Sequence, residues 1–398
     1  MDASNRMQSI DRRLFLGASA STLLAMPALA QNEAKPAETK PAETKPSAPA
    51  PDGKRLSQLI ADFVTGLDLK AVPPVVIDRA RVAITDTVGV MLAGSHQDVS
   101  HILCDMVRLE GATPSASIVG QSLRTSPQLA ALANGVAAHA MDYDFTFVAG
   151  QAARNGVMAA LLGRNGFTAQ PHALEGHSGY FEDFGRGLEV TYEPFRDLGR
   201  RFDLEVMGYD LKAYPCGGLA HTAIEAALAL RERLAPRLAD ITSIHCSVTR
   251  NAGQRAGTQY PQSIENAKFS LSYMVAYSLV HGAPMIGAFT EEAIRDDQVK
   301  AVARTVSATV DPALGPGTRE SPAILKVTLA DGQTFEKRID YQTGSIQNPM
   351  TQAQVEAKFL DCAAQSIKSD VARQILAALN ALPARPSFTD FWPLVRLS

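Results

Sequence analysis

Ten residues bring together a lysine, a proline–cysteine turn and a histidine: Lys212-Ala213-Tyr214-Pro215-Cys216, then Gly217-Gly218 and His221. The paired glycines let backbone approach a bound molecule closely. His221 opens an apolar-periodic stretch running to Leu234, so it stands at a helix N-terminus. There the helix dipole favours a bound carboxylate and keeps an imidazole neutral, suited to moving a proton. Lys212, Lys268, Arg154 and Tyr273 are the other side chains of a kind to bind carboxylates or donate protons. Asp142 and Asp144 follow an Ala-rich helix, Leu129 to Ala140, either at the rim of a cleft or simply ending that helix in solvent. His139, on the same helix, reads as a packed histidine. The set suits general acid–base work on a small anion.

Other chemistries find no support in the pattern. No Gly-x-Gly-x-x-Gly follows a strand, and neither a Walker A nor a His-Glu-x-x-His motif occurs. His172, Glu175 and His177 fit no standard metal spacing. Cys104, Cys216, Cys246 and Cys362 lie far apart with no Cys-x-x-Cys, against a zinc ribbon, a thioredoxin-type motif or an iron–sulfur cluster. No cofactor and no metal are therefore expected. The cysteines are expected as buried thiols, two disulfides in any of three pairings being the alternative in an oxidising compartment. A net charge of −3 argues against a nucleic-acid partner and leaves an anionic ligand dependent on local cations.

The elements that must position these residues are mostly helical. Apolar residues recur at helical spacing from Leu56 to Gly94, with Pro73-Pro74 separating two helices. Helices are also expected near Val99 to Glu110 and over Gln151 to Asn165, with a short extended piece over Ser115 to Val119. After Leu204 the character changes. A helix over His221 to Leu234, a strand through Ile241 to Val248 and a helix over Lys268 to His281 precede two strands, Ala323 to Ala330 and Gln333 to Asp340. Asp331-Gly332 between them reads as a two-residue hairpin turn. Helical periodicity resumes from Gln352. The expectation is a mostly α chain with an α+β part: a discontinuous all-helical domain over 55–203, a smaller α+β lid over 204–345, and helices over 346–398 returning to the first domain.

The N-terminus reads as an export signal over residues 1–30. Arg12-Arg13-Leu14-Phe15-Leu16 is a twin-arginine pattern, a mildly apolar run follows, and Ala28-Leu29-Ala30 is a small-x-small cleavage site. A periplasmic location with no membrane association after cleavage is expected. Lys35-Pro36-Ala37-Glu38-Thr39 repeats at 40–44 within an extended linker over 31–54 that can bury no core.

Five stretches in order resemble the MmgE/PrpD family, which includes 2-methylcitrate dehydratases and cis-aconitate decarboxylases. They are Ala133-Asn134-Gly135 through Asp142-Tyr143-Asp144; Ala149 through Gly156 with Gly166-Phe167-Thr168 and Leu174-Glu175-Gly176; Lys212 through Cys216 with His221; Ala267-Lys268-Phe269-Ser270 with Tyr273; and Gly344 through Asn348-Pro349 to Lys358-Phe359. The resemblance implies a cofactor-independent lyase acting on a small polycarboxylate, of 2-methylcitrate dehydratase type, that forms homodimers through its helical domain. It implies Asp142, Thr146, His221 and Tyr273 as catalytic residues, with Lys212, Arg154 and Lys268 binding substrate. One departure stands out. Asp144-Phe145-Thr146-Phe147-Val148 runs straight into Ala149-Gly150, where the family carries roughly a hundred or more further residues, a large part of a domain. A His-Pro motif and a Lys-Arg-x-His element go with them, Val148 standing where that histidine would be. The departure raises two alternatives: a carboxylate-binding remnant impaired in catalysis, or, on the same fold, a decarboxylase or epimerase.

Overall fold

The computed structural model describes residues 54–142, 146–185, 192–384, 387 and 389–396, the side chains of Asp142 and Thr146 excepted. Residues 1–30, read from sequence as an export signal, and nearly all of 31–54, read as a linker, lie outside the described residues. The described residues form one compact unit, mostly α with an α+β part.

Helix α1 (Leu56–Gly66) is followed by α2 (Pro74–Gly94), whose proline occupies the first turn, where a missing N–H costs nothing. Helix α3 (Asp98–Glu110) ends at Gly111, and a two-stranded ribbon pairs β1 (Ala116–Ser117) with β2 (Arg124–Thr125). Ser126 caps α4 (Pro127–His139) by accepting from the Leu129 N–H, and a 3-10 turn, Ala140–Asp142, continues it. Helix α5 (Thr146–Arg164) lies back along α4 as a helical hairpin. The two meet through glycine: a Cβ on Gly150 would stand 2.6 Å from the Leu132 carbonyl oxygen, and one on Gly135 would stand 2.6 Å from Gly150 Cα. Short helices α6 (Tyr180–Gly185) and α7 (Asp203–Val206) follow, with a 3-10 turn, Glu193–Asp197, between them.

The α+β part begins with α8 (His221–Leu234). It continues through β3 (Ile241–Val248), α9 (Arg250–Arg255), α10 (Ile264–Ala267), α11 (Leu271–Val280), α12 (Glu291–Ile294), α13 (Asp297–Ala303), β4 (Val306–Val310), β5 (Ala323–Leu329) and β6 (Thr334–Ile339). The sheet order is β4-β3-β5-β6, with β3 and β4 parallel and the other pairs antiparallel. Ile244, Cys246 and Val248 on β3 and Leu325, Val327 and Leu329 on β5 alternate inward beneath α8 and α11. Nine of the ten residues of α11 are buried, which makes it the central helix of this core.

Two expectations are corrected here. The β5–β6 turn has three residues, Ala330 to Gly332, because Leu329 N–H donates to the Gln333 carbonyl and Gly332 takes φ +83° in the bulged position. Lys268 does not lie inside one helix running to His281. It sits at a break between α10 and α11, made by Ser270, whose hydroxyl accepts from the Tyr273 N–H and starts α11 anew.

Helix α14 (Gln352–Ala363) starts with a capping box between Thr351 and Gln354, and α15 (Ser369–Asn380) follows. Both pack on α2. Leu92 and Val119 share a core with Phe359, Ile375, Leu379, Phe391 and Val395, and the Gly120 N–H donates to the Val395 carbonyl at 2.7 Å. Gly89 admits the Phe359 ring, to which a Cβ there would come within 3.0 Å. Burying a phenylalanine completely contributes about 2–3 kcal/mol and fixes the rotation of α14 on α2. All four cysteines are buried, and none forms a disulfide. Among the described residues no helix is long and apolar enough to cross a membrane.

Candidate functional site

Where the helical part meets the α+β part, a cavity of about 250 Å³ opens. Its polar lining comes from Asp86 of α2, His139 of α4, Asp210, Lys212 and Tyr214 of the segment ahead of α8, and Lys358, Asp361 and Cys362 of α14. Ala138, Met141, Met285 and Ile286 supply apolar surface.

The 210–215 segment is held by backbone. Leu211 N–H donates to the Gly344 carbonyl at 2.8 Å, and Gly344 has φ +93° with its missing Cβ position 2.1 Å from the Leu211 oxygen, so only glycine fits. Gly217 N–H donates to the Lys268 carbonyl at 2.9 Å. Lys212 thereby reaches the cavity.

His221 is fully buried and lies behind Tyr214, whose ring meets it edge-on at 5.1 Å. Its pKa is held down to about 3, first by loss of water and then by the charge of Lys212 and, more weakly, Lys358. Backbone at Cys216 and Tyr214 pulls the other way, without a hydrogen bond of ordinary geometry to either ring nitrogen. His221 is therefore a neutral imidazole one layer beneath the cavity wall. The helix position foreseen for it is correct, but its direct access to a ligand is not part of this geometry.

The remaining candidates separate. Lys268 is buried, and its ammonium donates to the Met141 carbonyl, tying the start of α11 to the turn that carries Asp142. That bond anchors the turn rather than presenting the charge at the cavity lining. Tyr273 lies in the α+β core among Tyr260, Tyr277 and Phe289; its hydroxyl donates to the Ala288 carbonyl, and burial raises its pKa. It does not line the cavity. Arg154 is half-buried on α5, also outside the lining. The side chains of Asp142 and Thr146 lie outside the described residues. His172 pairs with Glu175 and His177 with Glu182, two separate contacts on the surface.

Several polar lining residues, Asp210 among them, were not singled out as site candidates from the sequence. His139, read as packed, lines the cavity. Asp86 and Lys358 form an ion pair at 2.5 Å between α2 and α14, and Asp361 stands one turn beyond Lys358. Burial raises the pKa of Asp361, and that of Cys362 is pushed up to about 12, burial again being the main cause. The available signal was the spacing Lys358, Asp361, Cys362, which puts three reactive side chains on one helix face.

The arrangement can hold an anion between two lysines beside groups able to exchange protons. Residues 58–150 match the MmgE/PrpD N-terminal domain and residues 214–382 the MmgE/PrpD C-terminal domain. The stretches Gly166-Phe167-Thr168 and Leu174-Glu175-Gly176 fall between the two matches. The cis-aconitate decarboxylase of Mus musculus is 25% identical over 241 residues, covering 58% of this chain and 48% of that protein. The alkylcitrate dehydratase of a fungal species is 28% identical over 235 residues, covering 54% and 44%. A cis-aconitate decarboxylase of Aspergillus terreus is 24% identical over 265 residues, covering 62% and 53%. The chain spans about half the length of the curated relatives it matches. With both domains matched in order, the chain belongs to the MmgE/PrpD family.

Proposed function

We propose that this protein is a lyase for a small polycarboxylate, of 2-methylcitrate dehydratase type. The observation that carries the reading is the cavity between the two matched domains, lined by Lys212, Lys358, His139 and Asp361. Dehydration removes a proton from the carbon next to a carboxylate and expels the neighbouring hydroxyl, which takes up a proton and leaves as water. The lysines neutralise the carboxylates and the charge that develops as the C–H bond breaks. His139 takes the proton at the cavity surface, Asp361 supplies one to the departing hydroxyl, and Asp142, on the adjoining turn, is the family-implied partner. Tyr214 separates the cavity from His221, whose neutral ring leaves the lysines as the positive charge there.

The test incubates the purified full chain with 2-methylcitrate, citrate and cis-aconitate and follows each by proton NMR. The reading expects water loss from 2-methylcitrate to give the alkene. Conversion of cis-aconitate with release of carbon dioxide, and none of 2-methylcitrate, would replace dehydration by decarboxylation. A second reading, a carboxylate binder impaired in turnover, is favoured by one observation, the half-length match to the relatives. Binding of citrate without conversion of any of the three acids would establish it. Export and homodimer formation belong to the same proposal, on the twin-arginine N-terminus and the family resemblance.

A further inference from the structure

One wall of the cavity is built wholly from the two helices that bring the ends of the folded chain together. On α14, Lys358, Asp361 and Cys362 share a face, and on α2, Asp86 and Val90 are one turn apart. Phe359, buried over Gly89, fixes how α14 is turned, and its neighbour Lys358 emerges at the cavity. Lys358 Nζ lies 2.5 Å from Asp86 Oδ1, and their side chains keep only 15% and 19% exposure. An ammonium has three donors in rotation. Asp86 engages one and restrains the flexible stem, leaving two for a ligand in the cavity.

The surrounding charges support an anion at this point. Lys358 and Lys212, from distant parts of the chain, both act on His221 to disfavour its proton, so their charges converge on one region. Asp210, also in the lining, faces Arg319 at 3.5 Å. Asp361 has no ion pair or side-chain hydrogen bond among the described residues, and burial makes its carboxyl readier to keep a proton and donate it. With Asp86 offset by Lys358 and Asp210 by Arg319, the wall does not repel a carboxylate as its three aspartates alone would.

We infer that Lys358, braced by Asp86, binds one carboxylate of the substrate while Lys212 holds another, making helix α14 part of the active site. Asp86 is then a positioning residue. This rests on the polycarboxylate reading above. A buried ion pair cannot be tested by breaking it alone, because an orphaned charge destabilises the fold by itself. The experiment is titration calorimetry of the full chain with tricarballylate, a non-reactive tricarboxylate, on four proteins: wild type, Lys358→Met, Lys358→Arg and the double variant Asp86→Asn/Lys358→Met. Thermal melts of each run in parallel.

A charge-assisted contact of this kind changes affinity by about tenfold or more. Lys358→Met is expected to weaken binding by at least that factor, Lys358→Arg to retain most of it, and the double variant to melt near wild type yet bind as poorly as Lys358→Met. Recovery of binding in the double variant would mean that Lys358 merely neutralises Asp86, and the inference falls. Unchanged affinity in Lys358→Met overturns it while leaving the lyase proposal in place. A wild-type chain that binds no tricarballylate overturns both.

Discussion

Acidifying the protein from pH 7 to pH 5 is expected to cost the folded state about 2 kcal/mol through His221 alone. In the unfolded chain this imidazole titrates at its ordinary 6.5, while in the fold burial, Lys212 and Lys358 hold it to about 3. Between those values the unfolded state binds the extra proton, so stability rises with pH. The contribution is complete above pH 6.5 and is lost progressively as pH falls toward 3. Each pH unit inside the window is worth about 1.4 kcal/mol, and pH 5 lies about one and a half units inside it. Other groups titrate over the same range, so the measurement is a difference. Urea unfolding of wild type and His221→Gln is followed at pH 7 and pH 5, the glutamine being neutral at both. The variant is expected to lose about 2 kcal/mol less than wild type on acidification. Parallel losses in the two proteins would refute the argument, since they would show that the ring is already solvated or charged in the fold.

Glycine positions give an internal contrast. Gly150→Ala must push α5 off α4, because its Cβ meets backbone, and should cost about 1–3 kcal/mol. Gly156→Ala, with nothing within 4 Å in the same helix, should instead stabilise by about 0.4–1 kcal/mol, both read from urea midpoints. Lys268→Met leaves the Met141 carbonyl without its charged donor and is expected to lower stability by about 1–3 kcal/mol in the same assay; an unchanged midpoint would remove the anchoring role. On the export proposal, mass spectrometry of the protein recovered from the periplasm should find Gln31 at its N-terminus, and a chain that keeps Met1 would contradict cleavage after Ala30.

Local signals were read well from sequence where a residue's neighbours along the chain decide its conformation. The helix from His221 to Leu234 follows from its apolar spacing and the glycines before it, and β5 and β6 follow from alternation around Asp331-Gly332. The break at Lys268 depends on Ser270 choosing to cap, which competes with a helical pattern that runs unbroken through it. The Asp86–Lys358 pair was not legible at all. Each residue alone looks like the polar face of an amphipathic helix, and only the packing of α14 on α2 turns both inward. His139 is half-buried with its Nδ1 shielded, as a packed histidine would be, and its place in the cavity lining was not legible because the sequence of the Ala-rich helix does not tell which end meets a cavity. Tyr273 carries the family's spacing, yet its hydroxyl is satisfied by the Ala288 carbonyl within the core.

The packing of α14 and α15 on α2 also sets an order of events during synthesis. The α+β core is contiguous, drawing on Tyr214 through Leu329, and every element of it has been made well before translation ends. The helical core is not. Residues 103–136 close a local core of their own, but Leu92 and Val119 wait for Phe359, Ile375, Phe391 and Val395, so α2 gains these partners late. Until then α2 exposes the apolar face around Leu92 and Gly89, and the nascent chain is a ready client for a holdase chaperone. A stall or truncation after Ile339 but before Phe391 should therefore release a protein with a formed α+β part attached to an unclosed bundle, a species marked for proteolysis at its N-terminal half.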